Sequence, residues 1–163
     1  MLEKDNGDVY FVPAFSGLFS PHWDETARGS LFGLTRFSNK SHLARAVLES
    51  VAFQTYELLE SMEKDLDTEF ESLRVDGGMV ANNLLMQFQS DLLDKSIYSQ
   101  EINEITALGV GVASYLYVMD LPLSSIRNYI TSSKTWNPNM SNETRINSLE
   151  SWYKAIEKAK NWL

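Results

Sequence analysis

Val75-Asp76-Gly77-Gly78-Met79-Val80-Ala81-Asn82-Asn83 joins an extended run to a helical one across two adjacent glycines. Leu73-Arg74-Val75 has the character of a short strand. From about Val80 to Leu93, Leu84, Leu85, Phe88 and Leu92 recur at the spacing of one helix face. Two readings of the turn stay open. In the first it is a tight strand-to-helix connection, with Asn82 an ordinary surface residue. In the second it is an anion site. Gly77 and Gly78 can reach positive φ and lack Cβ atoms, so a flat or charged ligand can approach the main chain. The helix start adds N–H groups and a positive dipole end, worth roughly 0.3–1 kcal/mol to an exposed anion. Asn82, read as about one turn into the helix, can donate and accept together, as a purine edge requires.

Upstream of this stretch the spacing predicts a long helix with Ser41 as N-cap. Its buried face is read as Leu43, Val47, Val51, Leu58 and Met62, with Glu49, Glu57, Glu60 and Lys64 on other faces. It fades into the acidic segment Glu63–Glu71, read as a solvated helix end. Earlier still, Val9-Tyr10-Phe11-Val12 reads as a strand stopped by Pro13. Pro13–Gly33 (PAFSGLFSPHWDETARGSLFG) reads as one long structured loop. Residues 1–8 are polar and aperiodic, and are expected to be a linker from a region upstream, leaving 9–163 as the domain.

Downstream, Ser96–Ser99 reads as a strand, followed by a helix carrying Ala107, Gly109, Gly111 and Ala113. A helical Gly costs about 1 kcal/mol, so the pair implies close approach to a neighbouring backbone. Pro122 ends this unit. Residues 124–140 are polar and irregular, and Asn142–Leu163 read as a last helix with Ile146, Leu149, Tyr153, Ile156 and Trp162 on one stripe. Strands alternating with helices predict an α/β fold, a short and mostly parallel sheet flanked by helices. Three strands are few beneath four helices, so part of the sheet is expected to lie outside this chain.

Composition narrows the chemistry. The chain has 163 residues and a net charge of −8, which opposes non-specific nucleic-acid binding and adhesion to an anionic membrane. It has no Cys, which excludes a disulfide scaffold, a thiolate zinc site, an iron–sulfur cluster and a Cys nucleophile. No apolar run approaches the roughly 20 residues of a membrane span, and the N-terminus lacks the features of a signal peptide, so a cytoplasmic location is expected. His22 and His42, the only histidines, have no metal-ligand spacing. Pro21-His22-Trp23-Asp24 admits a His/Asp hydrolase with Ser16 or Ser20 as nucleophile, though no G-x-S-x-G elbow accompanies it. The alternative is a loop locked by an Asp24–Arg28 pair and aromatic packing.

Several segments together resemble the C-terminal domain of the FGGY carbohydrate kinases. They are Val9–Leu18, Pro21-His22-Trp23-Asp24, Ala27-Arg28-Gly29, and the spaced series Gly29, Leu31, Gly33-Leu34, His42-Leu43, Ala46-Val47-Leu48, Glu49. Arg74–Gly78, Asn82, Leu85–Asp91 and Thr106–Gly109 are similar to the glycerol-phosphorylating branch in particular. The resemblance implies a partial actin-like, ribonuclease H-like ATPase domain. It implies that Gly77 and Gly78 lie against the phosphates and ribose of ATP, and that Asn82 hydrogen-bonds the adenine. It also implies that the catalytic residues, the ligands of Mg²⁺ and the contacts to glycerol belong to a region upstream of Met1. On that reading the chain is inactive alone, with ATP or ADP and glycerol as partners of the larger protein; homo-oligomer formation stays open. A non-catalytic actin-like nucleotide-binding module and a piece of another FGGY sugar kinase are the alternatives. The chain departs from the glycerol branch at His22, usually Tyr, at Phe19-Ser20, commonly Gly-Ala, and at Val110 and Val112, usually Ala.

Overall fold

The structure, a computed structural model, describes residues 4–100, 105–129 and 132–163. Elements follow in the order β1 (Tyr10–Val12), β2 (Ser30–Phe32), α1 (Lys40–Leu66), β3 (Ser72–Val75), α2 (Asn83–Leu93), β4 (Ser96–Gln100), α3 (Ile105–Val118), β5 (Ser132–Trp136) and α4 (Asn142–Ala159). Short 3-10 turns occupy Gly78–Ala81 and Leu123–Tyr129.

The strands form two small sheets. β1 and β2 make an antiparallel ribbon, with Tyr10 opposite Phe32 and Val12 opposite Ser30. The second sheet has the order β3-β4-β5. β3 and β4 are parallel, from Ser72 opposite Ser96 to Val75 opposite Ser99, with α2 as their crossover. β5 returns antiparallel to β4. The α/β class and the small sheets flanked by helices are as expected, but only one pairing is parallel. β2 lies inside what reads as a loop, and β5 inside the segment 124–140 that reads as irregular. β2 has only three residues (Ser-Leu-Phe) and β5 is mostly polar, and cross-strand pairing holds them where apolar periodicity does not.

The core forms where α1, α2, α4 and β1 converge. Phe53 stacks on Trp152 with ring centroids 4.8 Å apart and planes 5° from parallel, and meets the edge of Phe88 at 5.5 Å. Val12, Leu85, Leu92, Ile97 and Ile156 are fully buried around them. Offset and edge-to-face ring contacts add about 0.5–1.5 kcal/mol each beyond their area.

Helix α1 buries a different face from the expected one. Asn39, not Ser41, is the N-cap: its side chain accepts from the backbone N–H groups of Ser41 and His42, and His42 reaches back to the Asn39 N–H. The buried residues are Ala46, Glu49, Ser50, Ala52, Phe53 and Glu57, whereas Val47, Leu58 and Met62 are nearly half exposed. Small side chains let β1 and α2 pack close, so the helix turns its small-residue face inward. The two carboxylates assigned to solvent are consequently inside, each with a basic side chain as partner. Glu49 takes Arg45 Nε at 2.7 Å, and Glu57 takes His22 Nε2 at 2.7 Å. Helix α1 also runs further into the acidic segment than expected, to Leu66. There Glu63 accepts from the Phe70 N–H and pairs with Lys95 at 3.0 Å.

In α4, Trp152 rather than the stripe ending at Trp162 is the anchor. Ile146 and Trp162 are exposed, and the helix stops at Ala159. In α3, a Cβ built on Gly109 or Gly111 would meet nothing within 4 Å. The close backbone approach expected of these glycines is absent among the described residues. No helix of the described residues is long and apolar enough to cross a membrane.

Candidate functional site

The parallel pair β3–β4 delivers its carboxyl ends to one edge, where crevices of α/β sheets bind ligands. β3 ends at Val75 and the chain enters the Asp76–Asn82 turn there. Gly77 has φ 88° and ψ 177°, a conformation that side chains rarely adopt and glycine adopts freely. A Cβ on Gly77 or Gly78 would meet nothing within 4 Å, so the main chain of both is open to solvent. The 3-10 turn closes with Val80 N–H on Gly77 O at 3.2 Å and Asn82 N–H on Met79 O at 3.0 Å. The turn is therefore a formed, exposed shelf at a sheet edge.

Asn82 sits differently from its sequence reading. It is the N-cap of α2, with φ −87° and ψ 97°, not a residue one turn inside a helix. Its Oδ1 accepts from the Leu85 N–H at 3.1 Å. The acceptor is thus committed to the cap, and the side-chain NH₂ has no partner among the described residues. What it can offer a ligand is a donor, pointed from the start of an eleven-residue helix.

The second constellation lies in the loop between β1 and β2. Asp24 does not pair with Arg28. Its Oδ1 accepts from the Thr26 hydroxyl at 2.6 Å and from the Thr26 and Ala27 N–H groups, and its Oδ2 accepts from the Asn161 N–H at 3.0 Å. The Thr26 hydroxyl, then the Asn161 amide, hold the Asp24 carboxyl down at about 2. Arg28 instead donates to the carbonyls of Glu25 and Ala27. A Cβ on Gly17, at φ 92°, would stand 2.6 Å from the Asp24 carbonyl, so only glycine allows the Leu18–Asp24 bridge beside it. His22 turns inward to Glu57, whose carboxyl burial pushes up while the imidazole pulls it back part of the way. This pair was not readable in advance: its members stand 35 positions apart, and Glu57 looks like a surface residue of α1.

Residues 1–115 match the C-terminal domain of the FGGY family of carbohydrate kinases. The chain belongs to that family. Among its curated relatives is a glycerol kinase of Brucella anthropi, 48% identical over 162 residues, which cover 98% of this chain and 32% of the relative. A glycerol kinase of Nocardia farcinica is 51% identical, covering 97% of this chain and 33% of the relative. Among solved structures, glycerol kinase of Plasmodium falciparum with ADP superposes with a TM-score of 0.88 at 36% identity. That match covers 96% of this chain and 32% of the other. The chain thus spans about a third of the length of these relatives. The actin-like FGGY fold and the likeness to glycerol kinases expected from the motifs are both found.

Proposed function

We propose that this chain is the nucleotide-binding third of an ATP-dependent kinase that phosphorylates a primary hydroxyl of glycerol, giving glycerol 3-phosphate. The observation that carries the proposal is identity near one half, over nearly the whole chain, to glycerol kinases. The ADP of the Plasmodium falciparum structure supports the nucleotide half of the reading. A second support is α3, whose apolar surface is largely uncovered here and would be covered by the remaining two thirds of such an enzyme.

In this reading Gly77 and Gly78 let the phosphates and ribose of ATP settle on bare backbone, and the Asn82 NH₂ donates to a ring nitrogen of the adenine. The reaction itself needs a base for the glycerol hydroxyl, and charge compensation at the transferring phosphoryl group. The described residues bring no three His, Asp or Glu side chains together as a metal site, so Mg²⁺ is not assigned to any of them. They contribute binding and orientation, and the chemistry belongs to the partner domain. A cytoplasmic location fits an enzyme that draws on ATP.

The test is a chimaera in which this chain replaces the C-terminal third of the Brucella anthropi enzyme. Glycerol-dependent ADP release is expected from the chimaera and not from the 163 residues alone. A folded chimaera that releases no ADP, or turnover by the isolated chain, would overturn the assignment.

A further inference from the structure

Asn6-Gly7 is the one Asn-Gly pair in the sequence, and it stands in the turn that feeds β1. The Val9 N–H closes that turn on the Asn6 carbonyl at 3.1 Å. Both residues are half-buried, and neither belongs to the nucleotide turn. We propose that Asn6 is a self-modification site: the Gly7 backbone nitrogen attacks its carboxamide, and the residue converts with time to aspartate and isoaspartate.

The groups around Asn6 are placed for ring closure. Gly7 has no side chain to shield its nitrogen. Its N–H donates to Asp5 Oδ1 at 2.9 Å, so a carboxylate is in reach of the proton that the attacking nitrogen must lose. Asn6 Oδ1 accepts from the Asp8 N–H at 3.1 Å. That bond folds the carboxamide over the Gly7 peptide as an Asx turn, and it polarises the carbonyl whose carbon is attacked. With Oδ1 so engaged, the Asn6 NH₂ is the part that reaches the Tyr10 hydroxyl and the Glu49 carboxyl. Burial pushes both of those groups up, and hydrogen bonding to Asn6 is among the contacts that pull them back.

The step balances with water as its only co-reactant. The Gly7 nitrogen bonds to Asn6 Cγ, the Cγ–Nδ2 bond breaks, and the proton lost by Gly7 leaves with Nδ2 as ammonia. Water then opens the resulting succinimide. Opening at one carbonyl gives aspartate; opening at the other gives isoaspartate, with the main chain routed through the former side chain. Either product puts a carboxylate where an NH₂ donor faced Glu49 and Tyr10. Isoaspartate also adds a backbone carbon to a turn with little slack. A Cβ built on Gly7 would lie 3.0 Å from the His42 ring, and His42 closes the N-cap of α1. Tyr10, in β1, packs on Phe53 with ring centroids 5.8 Å apart. The conversion therefore strains the join between β1 and the start of α1, and acts as a timer on the stability of the fold.

The experiment incubates the full chain and a peptide of residues Glu3–Val12 side by side in neutral buffer. Conversion is read by mass-spectrometric peptide mapping and by enzymatic methylation of isoaspartate. Conversion at Asn6 is expected about tenfold faster in the folded chain than in the peptide, a small part of what full orientation can supply. Asp5→Ala removes an exposed carboxylate, and is expected to return most of that factor while leaving urea unfolding unchanged. The converted chain is expected to unfold at lower urea than the fresh one. Conversion at Asn6 no faster in the chain than in the peptide would overturn the proposal. So would an Asp5→Ala chain that converts at the unaltered rate, since the Asp5 contact with Gly7 would then be structural alone. Neither ATP nor glycerol enters the measurement, so its failure would leave the kinase reading untouched.

Discussion

The Phe53–Trp152 region and helix α3 are both rich in apolar residues, and they use them in opposite ways. Around Phe53 the rings of Trp152 and Phe88 and the side chains of Leu85, Leu92 and Ile156 exclude water almost completely. Along α3 only Val112 and Leu116 are buried, while Val110, Tyr117 and Val118 are 65%, 88% and 77% exposed. The first region is a finished core, held by four elements of the chain itself. The second has the composition of a core helix without the neighbours. The glycerol kinase relatives are three times as long, and on the function proposed here their additional chain is what covers α3.

Breaking the finished region is expected to have the largest effect. Trp152→Ala removes a fully buried indole and its stack on Phe53, and should cost about 3–5 kcal/mol in urea unfolding. A loss under 1 kcal/mol would mean that the contact does not anchor the fold. The buried His22–Glu57 pair comes next. His22→Leu leaves the Glu57 carboxylate without its partner and should cost about 3 kcal/mol, most of it recovered when Glu57→Leu is added. Additive losses in the double variant would show that the pair is not coupled.

Helix α3 sharpens the contrast from the other side. Gly111→Ala meets open space here and should stabilise the 163-residue chain by about 0.5–1 kcal/mol, read as helix content on thermal unfolding. The same change in the full-length chimaera should be neutral or unfavourable if another element seats against that glycine. Stabilisation of equal size in both would contradict a covered α3.

The smallest effect concerns acid. Asp24 titrates at about 2 in the fold against an ordinary 3.8, so folding favours its ionised form. Its stabilisation is complete above the ordinary value and is lost as pH falls through 3.8 toward 2. Asp24→Asn should flatten the stability profile in that window and leave its slope at neutral pH unchanged; an unaltered acid limb would remove the Asp24 link to the end of α4.

What the sequence disclosed follows from how local the signals are. The β3–turn–α2–β4 unit is legible because apolar spacing, two adjacent glycines and an Asn fall within about two dozen residues. The placement of Asn82 as a cap rather than an interior helix residue is a one-turn boundary error of the kind that fraying and 3-10 entry produce. The inward face of α1 was missed because its buried residues are small or charged, and packing against β1 and α2 outweighed the hydrophobicity of Val47, Leu58 and Met62. β2 and β5 were invisible for a related reason: their stability resides in pairing with distant strands. The His22–Glu57 pair needed the fold itself to bring a loop and a helix together. Only the family resemblance, carried by spaced motifs along most of the chain, reached across such separations.

The most direct test of the nucleotide turn is ADP affinity measured by calorimetry on the chimaera with Gly78 intact and with Gly78→Val. The side chain added at Gly78 meets open space in the chain itself, so stability should hold while ADP affinity falls about tenfold or more as the backbone shelf is blocked. Unchanged ADP affinity in a folded Gly78→Val chimaera would contradict a nucleotide seated on Gly77 and Gly78.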